Sequence, residues 1–351
     1  MSWTVVPASR FGDHLPRWQA LHADCGGSPL LAPDFLAAAL DTLGSGQELL
    51  AWYEQAGITR VMTVVRPAGM GRWATFQPSQ APVGFWLQRD AGSPEPYVPG
   101  LLRALPGAAM VLGITQCDPM LLPRPADSAR SRSIDYIETA RISLAPGFEA
   151  YWNARGKNLR SNLKKQRKRL LQEGCATRLE RIRSPEEMAA AVRDYGMLET
   201  QGWKGAAGSA VRDDDEQGRF YRAMLEAFAR RNAARVYRYF IGERLAAMDL
   251  CVEGGGCVVV LKTAYDESLG AALSPALLMR EEACRDIFED GRFERIEFYG
   301  RVMEWHLRWT DEIRTMYHLN SYRWPLLARL HGLAVQGRQR APAAVPAGGA
   351  G

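Results

Sequence analysis

Residues 262–309 read KTAYDESLGAALSPALLMREEACRDIFEDGRFERIEFYGRVMEWHLRW, and several side chains in this stretch could do chemistry. Ser274-Pro275 follows a strand-like run directly. Ser is a good helix N-cap, and Pro is preorganised for the first helical position. The free N–H groups of such a first turn seat a phosphate or pyrophosphate. The expected contacts are the amides of Ala276 and Leu277 with the Ser274 hydroxyl, while Gly270 and two alanines slim the approach. Further on, Glu297, Tyr299, Glu304 and His306 gather acidic, phenolic and imidazole groups. On a strand, Ile296 and Phe298 take one face and leave Glu297 and Tyr299 the other. Tyr299 suits protonation of a departing thiolate, and His306 is the member whose unperturbed pKa lies near neutrality. The alternative for all four is a satisfied surface network.

Asp249 lies within AAMDLCV, an otherwise apolar run. A buried carboxylate needs a partner or a raised pKa, so Asp249 is either a general base or half of a structural pair with an arginine. Lys262 lies on a valine-rich strand, and two-residue alternation turns Val259, Leu261 and Thr263 away from it. It faces a cleft, or an outer face in water. Glu199, Trp203 and Lys204 follow a helix end and form either a substrate-binding loop or, for the tryptophan, a core plug. From Arg155 to Arg169 there are eight basic residues (155, 157, 160, 164, 165, 167, 168, 169) and no acid, with Leu159, Leu163 and Leu170 as an apolar stripe. That is an amphipathic helix, whose basic face is either simply solvated or meets an anionic membrane surface, a polyanionic substrate or tRNA.

The elements that position these groups are clearest in the second half. CATRLERIR (175–183) alternates as a strand, and Ser184-Pro185-Glu186-Glu187 reads as a capping box. A second helix follows the acidic run 213–216. Three strands, 235–241, 245–252 and 257–264, are separated by glycine-containing hairpin turns. The Ser274 helix ends near Gly291, and ERIEFY (294–299) is a further strand. The first half repeats this order loosely. It has strands at 3–7, 47–54, 59–66, 72–77 and 108–114, with helices near 14–24, 34–43 and 98–105, and ADSARSRS (126–133) as a loop. The tail beyond about Gly337 has a disordered composition.

The totals are ordinary: 351 residues, 47% hydrophobic, 24% charged and a net charge of +5, which admits anionic ligands without arguing for nucleic acid. Length favours two domains, each with its own core. Six scattered cysteines without a Cys-x-x-Cys pair favour free thiols in a reducing cytosol, and five histidines without His-x-x-x-His spacing argue against a metal. The N-terminus lacks the pattern of a signal peptide, and no apolar run is long enough to span a membrane.

The element order of the second half resembles the GNAT acyltransferase superfamily. The run from Glu199 to Gly205 (ETQGWKG), with YWNARGKNLRSNLKKQRKRL (151–170), YDESLGAALSPALL (265–278) and the segment from Glu297 to Trp309, resembles its CelD-like, double-domain branch. That branch is tied to cellulose and exopolysaccharide production and is related to FemAB-type aminoacyl-transferases. This chain departs from it at Trp305-His306, where such proteins tend to carry Tyr-Lys. The resemblance implies an α+β fold of tandem GNAT-like domains, each a mixed, mostly antiparallel sheet flanked by helices. Residues 1–145 would be a degenerate domain, 146–330 the catalytic one, and 331–351 the tail. It implies acetyl-CoA or another acyl-CoA as co-substrate, without a metal. Catalysis would fall to Asp249, Tyr299, Glu304 and His306. Lys262, Gly270, Ser274, Ala276 and Leu277 would hold the carrier, and Glu199, Trp203, Lys204, Tyr265, Asp266, Glu297 and Trp309 the acceptor. The expected activity is cytoplasmic acyl transfer to an amine or hydroxyl of a sugar or amino-sugar. Contact with a membrane or with polysaccharide machinery would run through 155–169, with nucleic acid disfavoured. FemAB-like transfer from aminoacyl-tRNA and a non-catalytic assembly role are the alternatives.

Overall fold

Alternating apolar residues in the first half produce short strands around two amphipathic helices. A computed structural model describes residues 2–201, 211–212, 215–269 and 273–331. In it the first half comprises β1 (Ser2–Pro7), α1 (Leu15–Asp24), α2 (Pro33–Leu43), β2 (Leu49–Gln55), β3 (Ile58–Gly69), β4 (Arg72–Thr75), β5 (Trp86–Gln88), α3 (Val98–Ala104), β6 (Val111–Cys117) and β7 (Ser131–Ser143). The second comprises α4 (Phe148–Asn153), α5 (Lys157–Gln172), β8 (Thr177–Ile182), α6 (Pro185–Gln201), α7 (Glu216–Arg230), β9 (Ala234–Ile241), β10 (Arg244–Gly254) and β11 (Cys257–Tyr265). It continues with α8 (Pro275–Asp290), β12 (Arg295–Phe298), α9 (Glu304–Leu307) and β13 (Ile313–Tyr322).

All these strands join one 13-stranded sheet, in the order β1-β2-β3-β4-β6-β13-β7-β12-β11-β10-β9-β8, with β5 beside β3. From either end the order is alike. Four antiparallel strands lead to a parallel pair, β4/β6 in one half and β11/β12 in the other. The long strand that closes each half then crosses over: β13 pairs with β6, and β7 pairs with β12. On one face, α1, α2, α6 and α7 share a single core that draws on both halves, with Phe35 edge-on to Phe220 at 5.4 Å. On the other face α3 covers the first half, while α4, α5 and α8 cover the second.

Several local expectations need correction. ADSARSRS is a loop only in part, because Ser131 and Arg132 pair with Ser321 and Asn320 and so begin β7. The strand expected at 108–114 lies at 111–117, and β7 and β13 were not anticipated at all. Ser184 donates to Glu186 instead of closing a capping box with Glu187. Asp215 does cap α7, accepting from the Gly218 amide at 2.7 Å. Gly255 and Gly256 both have positive φ, which a two-residue hairpin turn requires and glycine supplies without strain. Asp213 and Asp214, and the tail beyond His331, lie outside the described residues.

Candidate active site

The second half opens where its parallel pair ends. β11 and β12 pair from Cys257/Arg295 to Val260/Phe298, and β11 then runs on to Tyr265 paired with β10 only. Into that opening points the first turn of α8. A cavity of about 390 Å³ lies there, lined by Thr263, Tyr265, Asp266, Glu267, residues 273–277, Arg280, Trp305 and Trp309.

Ser274 and Pro275 open α8 as the sequence suggests, and Gly291 closes it in the left-handed conformation. The details of the first turn differ. The Ser274 hydroxyl makes no capping hydrogen bond, which leaves it at the cavity wall. Its carbonyl accepts from the amides of Leu277 (2.9 Å) and Leu278 (3.0 Å), so the expected Leu277 contact to a phosphate is already used. Its amide donates to Gln166 Oε1 of α5 at 2.8 Å. Gln166 thereby ties the basic helix to the mouth of the cavity. Leu159, Leu163 and Leu170 of that helix are buried in the core, while Lys157, Lys164, Lys165 and Lys168 are exposed.

Asp249 has no exposed surface. It forms an ion pair with Arg280 at 2.5 Å and accepts from the Thr263 hydroxyl at 2.6 Å. Burial pushes its carboxyl up, and Arg280 with Thr263 pulls it back. This is the arginine-paired alternative, so the carboxylate is already engaged. Arg280, which sequence reasoning missed, also lies over Phe298 at 5.2 Å.

Lys262 faces away from this cavity. Leu250 pairs with Lys262 but Cys251 pairs with Val260, so Leu261 is an extra residue and the two-residue alternation breaks there. Lys262 is consequently turned to the α6/α7 face, 3.8 Å from Glu199 Oε1 and over the Tyr221 ring at 5.7 Å. Glu199 is buried, accepting from the Tyr195 hydroxyl at 2.8 Å and the Val211 amide at 3.0 Å. Trp203, Lys204 and Gly270 lie outside the described residues.

Glu297 and Tyr299 also sit on the face opposite the cavity. Glu297 is buried between Arg295 (3.0 Å) and Arg314 (2.8 Å). Tyr299 donates to Asp118 at 2.6 Å, and Asp118 also pairs with Arg314 at 2.7 Å. Burial and the neighbouring Asp118 hold the Tyr299 hydroxyl well above its ordinary pKa, which keeps it protonated. Asp118 belongs to the first half, where no site residue was expected. Its only sequence signal is an acid in the short run Cys117-Asp118-Pro119 after a strand.

His306 is buried, stacked on Trp305 with ring centroids 3.5 Å apart, and its Nδ1 accepts from the Met303 amide at 3.0 Å. Burial, with Arg280 nearby, lowers its pKa to about 4. It is therefore neutral at neutral pH and a weak base, not a group poised near pH 7. Glu304 is exposed and carries no ion pair among the described residues. Tyr265 lines the cavity while partly exposed. Asp266 is buried against Arg244 and accepts from Ser268. Trp309 lines the cavity and is wholly buried. Among the described residues no cluster of His, Cys, Asp and Glu is arranged to hold a metal, and no helix is long and apolar enough to cross a membrane.

Residues 157–307 match the family model described as an acetyltransferase (GNAT) domain, a stretch that runs from α5 to α9. No curated protein matches the chain by sequence. Among solved structures, FemX is similar with a TM-score of 0.58 at 10% identity, covering 95% of this chain and 99% of its own. The domain described as the C-terminal domain (DUF2156) of a lysylphosphatidylglycerol synthetase from Agrobacterium fabrum gives 0.56 at 12% identity, over 93% and 96% of the two chains. L-PGS from Bacillus licheniformis gives 0.51 at 13% identity, over 88% and 97%. At these identities the likeness is one of fold, a GNAT-like mixed sheet flanked by helices. The match to an acetyltransferase domain model marks the chain as an enzyme of the acyltransferase class.

Proposed function

We propose that this acyltransferase uses acyl-CoA and transfers the acyl group directly to an amine or hydroxyl of a sugar or amino-sugar, in exopolysaccharide biosynthesis as in the CelD-like branch. One observation carries the reading. The cavity lies at the head of α8, at the point where β11 parts from β12. The helix N-terminus favours the carrier's pyrophosphate at the mouth, and the parted strands give the thioester a way toward the Lys262 face. No covalent intermediate is needed. Most of the rate then comes from positioning donor and acceptor together. Asp249 is paired and His306 is a weak base, so of the three groups proposed for proton removal only the exposed Glu304 is unengaged. The likeness of the strand order from both ends supports a tandem origin, with 1–145 and 146–330 as its two units and the chemistry in the second.

A thermal-shift series with acetyl-CoA, longer acyl-CoAs and free CoA tests the reading. A ligand bound at 100 times its Kd stabilises the fold by about 2.7 kcal/mol, a shift that is easily read. Ser274→Asp places a negative charge against the pyrophosphate and is expected to abolish the shift. A shift that survives this substitution sinks the proposed seat.

The second reading is FemAB-like transfer from an aminoacyl-tRNA. It is favoured by the exposed lysines of α5 beside the cavity mouth and by the fold shared with FemX and the lysylphosphatidylglycerol synthetase domain. Steeply salt-dependent tRNA binding without CoA binding supports it over the first reading. The leucines of α5 are already buried in the core, so any membrane or polysaccharide-machinery contact there rests on charge alone.

A further inference from the structure

Lysine is scarce in this chain, and most of it is in one place. Six of the 44 basic residues are lysines, and four of those six, Lys157, Lys164, Lys165 and Lys168, belong to α5. All four are exposed, and none makes an ion pair or a hydrogen bond among the described residues. The arginines of the same helix behave differently. Arg167 pairs with Glu281 (2.9 Å) and Glu282 (2.5 Å) of α8, Arg169 pairs with Glu173 (2.7 Å), and Arg160 donates to the Arg155 carbonyl (3.1 Å). The helix thus sorts its cations: the arginines are matched within the protein, and the lysines are left to the solvent.

Helical geometry gathers the lysines into a strip. With about 3.6 residues per turn, Lys157, Lys164 and Lys168 fall within about 40° of one another, and the strip is about 16 Å long. Leu159, Leu163, Gln166 and Leu170 take the opposite side and are buried. No acid occurs from Ala150 to Gln172, so nothing on the segment neutralises the strip. Lys164 and Lys165 each stand one helical turn from Lys168, and like charges at that spacing repel. A partner of opposite charge relieves that repulsion.

The residue type selects the partner. Arginine has a planar fork that grips a phosphate and stacks on a base, yet in this arginine-rich chain the strip is built from lysine. It also carries no aromatic ring on which an unpaired RNA base could stack. Lysine is a compact, hydrated charge on a flexible stem, which suits a diffuse anionic plane. We infer that this face of α5 docks on an anionic phospholipid bilayer, held by charge and without insertion. The site is carried with it. Gln166, on the inner side of the same helix, holds the Ser274 amide at the cavity wall (2.8 Å), so strip and cavity lie on opposite sides of one helix, ~10 Å thick. Docking therefore brings the mouth of the cavity to the membrane surface.

Co-sedimentation with phosphatidylcholine vesicles, with and without about one-third phosphatidylglycerol, tests the inference. The wild type is expected to bind only the vesicles that contain phosphatidylglycerol, and to bind less as salt is raised. The double variant Lys164→Gln, Lys168→Gln should bind them roughly 25-fold more weakly, about fivefold for each charge. Both side chains are exposed and unpaired, so its thermal unfolding should match the wild type. The double variant Arg66→Gln, Arg103→Gln removes the same net charge from exposed positions in the first half and should leave binding unchanged. No binding by the wild type, equal loss in the two double variants, or an effect of the lysine changes on tRNA binding that vesicles do not show overturns the inference. None of these measurements involves CoA, so the carrier reading stands or falls separately.

Discussion

The two halves share a strand order but treat the crossover between their parallel strands differently. In the first half α3 is short, and its head is packed shut. Trp3 donates its indole N–H to the Tyr97 carbonyl at 3.0 Å, lies 5.7 Å from the Tyr53 ring and sits against Gly100, where even a Cβ would come within 2.9 Å of it. In the second half α8 is longer, and its head faces a cavity lined in part by Trp305 and Trp309. The same topology thus yields a plug in one half and a cavity in the other. The halves also differ in how they fill the sheet interior. Thr63 and Thr75 of the first half are satisfied by neutral partners at 2.7 and 2.8 Å, whereas the second half buries the Asp249–Arg280 ion pair.

Breaking that ion pair gives the largest expected effect. Asp249→Ala leaves Arg280 buried without its counter-charge and should lower stability by about 3–5 kcal/mol in urea titration. The double variant Asp249→Ala, Arg280→Met should recover part of this loss, because no lone charge is then left behind. If Asp249→Ala instead keeps its stability and loses only turnover, the carboxylate acts as a base and the structural account of it fails.

How much of this was legible depends on the range of the interactions. The Ser274-Pro275 start and Gly291 end of α8, the three-strand meander and the basic α5 are local patterns, and each appears within two or three residues of its expected place. The face of Lys262 was lost to a single inserted residue, Leu261, since one extra residue turns every later side chain to the other side of the sheet. β7 and β13 were missed because SRSIDYIETARIS and IRTMYHLNSY carry charges through the middle of the sheet. Those charges are tolerated through partners far away in sequence, such as Arg314 with Asp118 and Glu297, and no local period announces such a pair. Asp249 was recognised as anomalous in its apolar strand, but its partner is 31 positions away on another element.

The next effect is smaller and concerns pH. The folded state holds His306 at about 4, below the ordinary value near 6.5, so folding favours the neutral imidazole. That contribution is fully present above about pH 6.5 and is lost as pH falls from there toward 4, because the unfolded chain takes up the proton first. It amounts to at most about 3 kcal/mol. Stability measured between pH 7 and 4 should therefore fall less steeply in His306→Gln than in the wild type. Parallel slopes would mean that His306 is not held neutral beside Arg280.

The smallest effect tests the plug itself. Trp3→Phe removes the N–H donated to Tyr97 and should cost about 1 kcal/mol of stability. It should leave CoA binding untouched, since the Trp3 indole packs against the head of α3 at Gly100 and Tyr97. A Trp3→Phe protein that binds CoA more weakly would show that the first half's crossover shares in the site, and the contrast between plug and cavity would no longer hold.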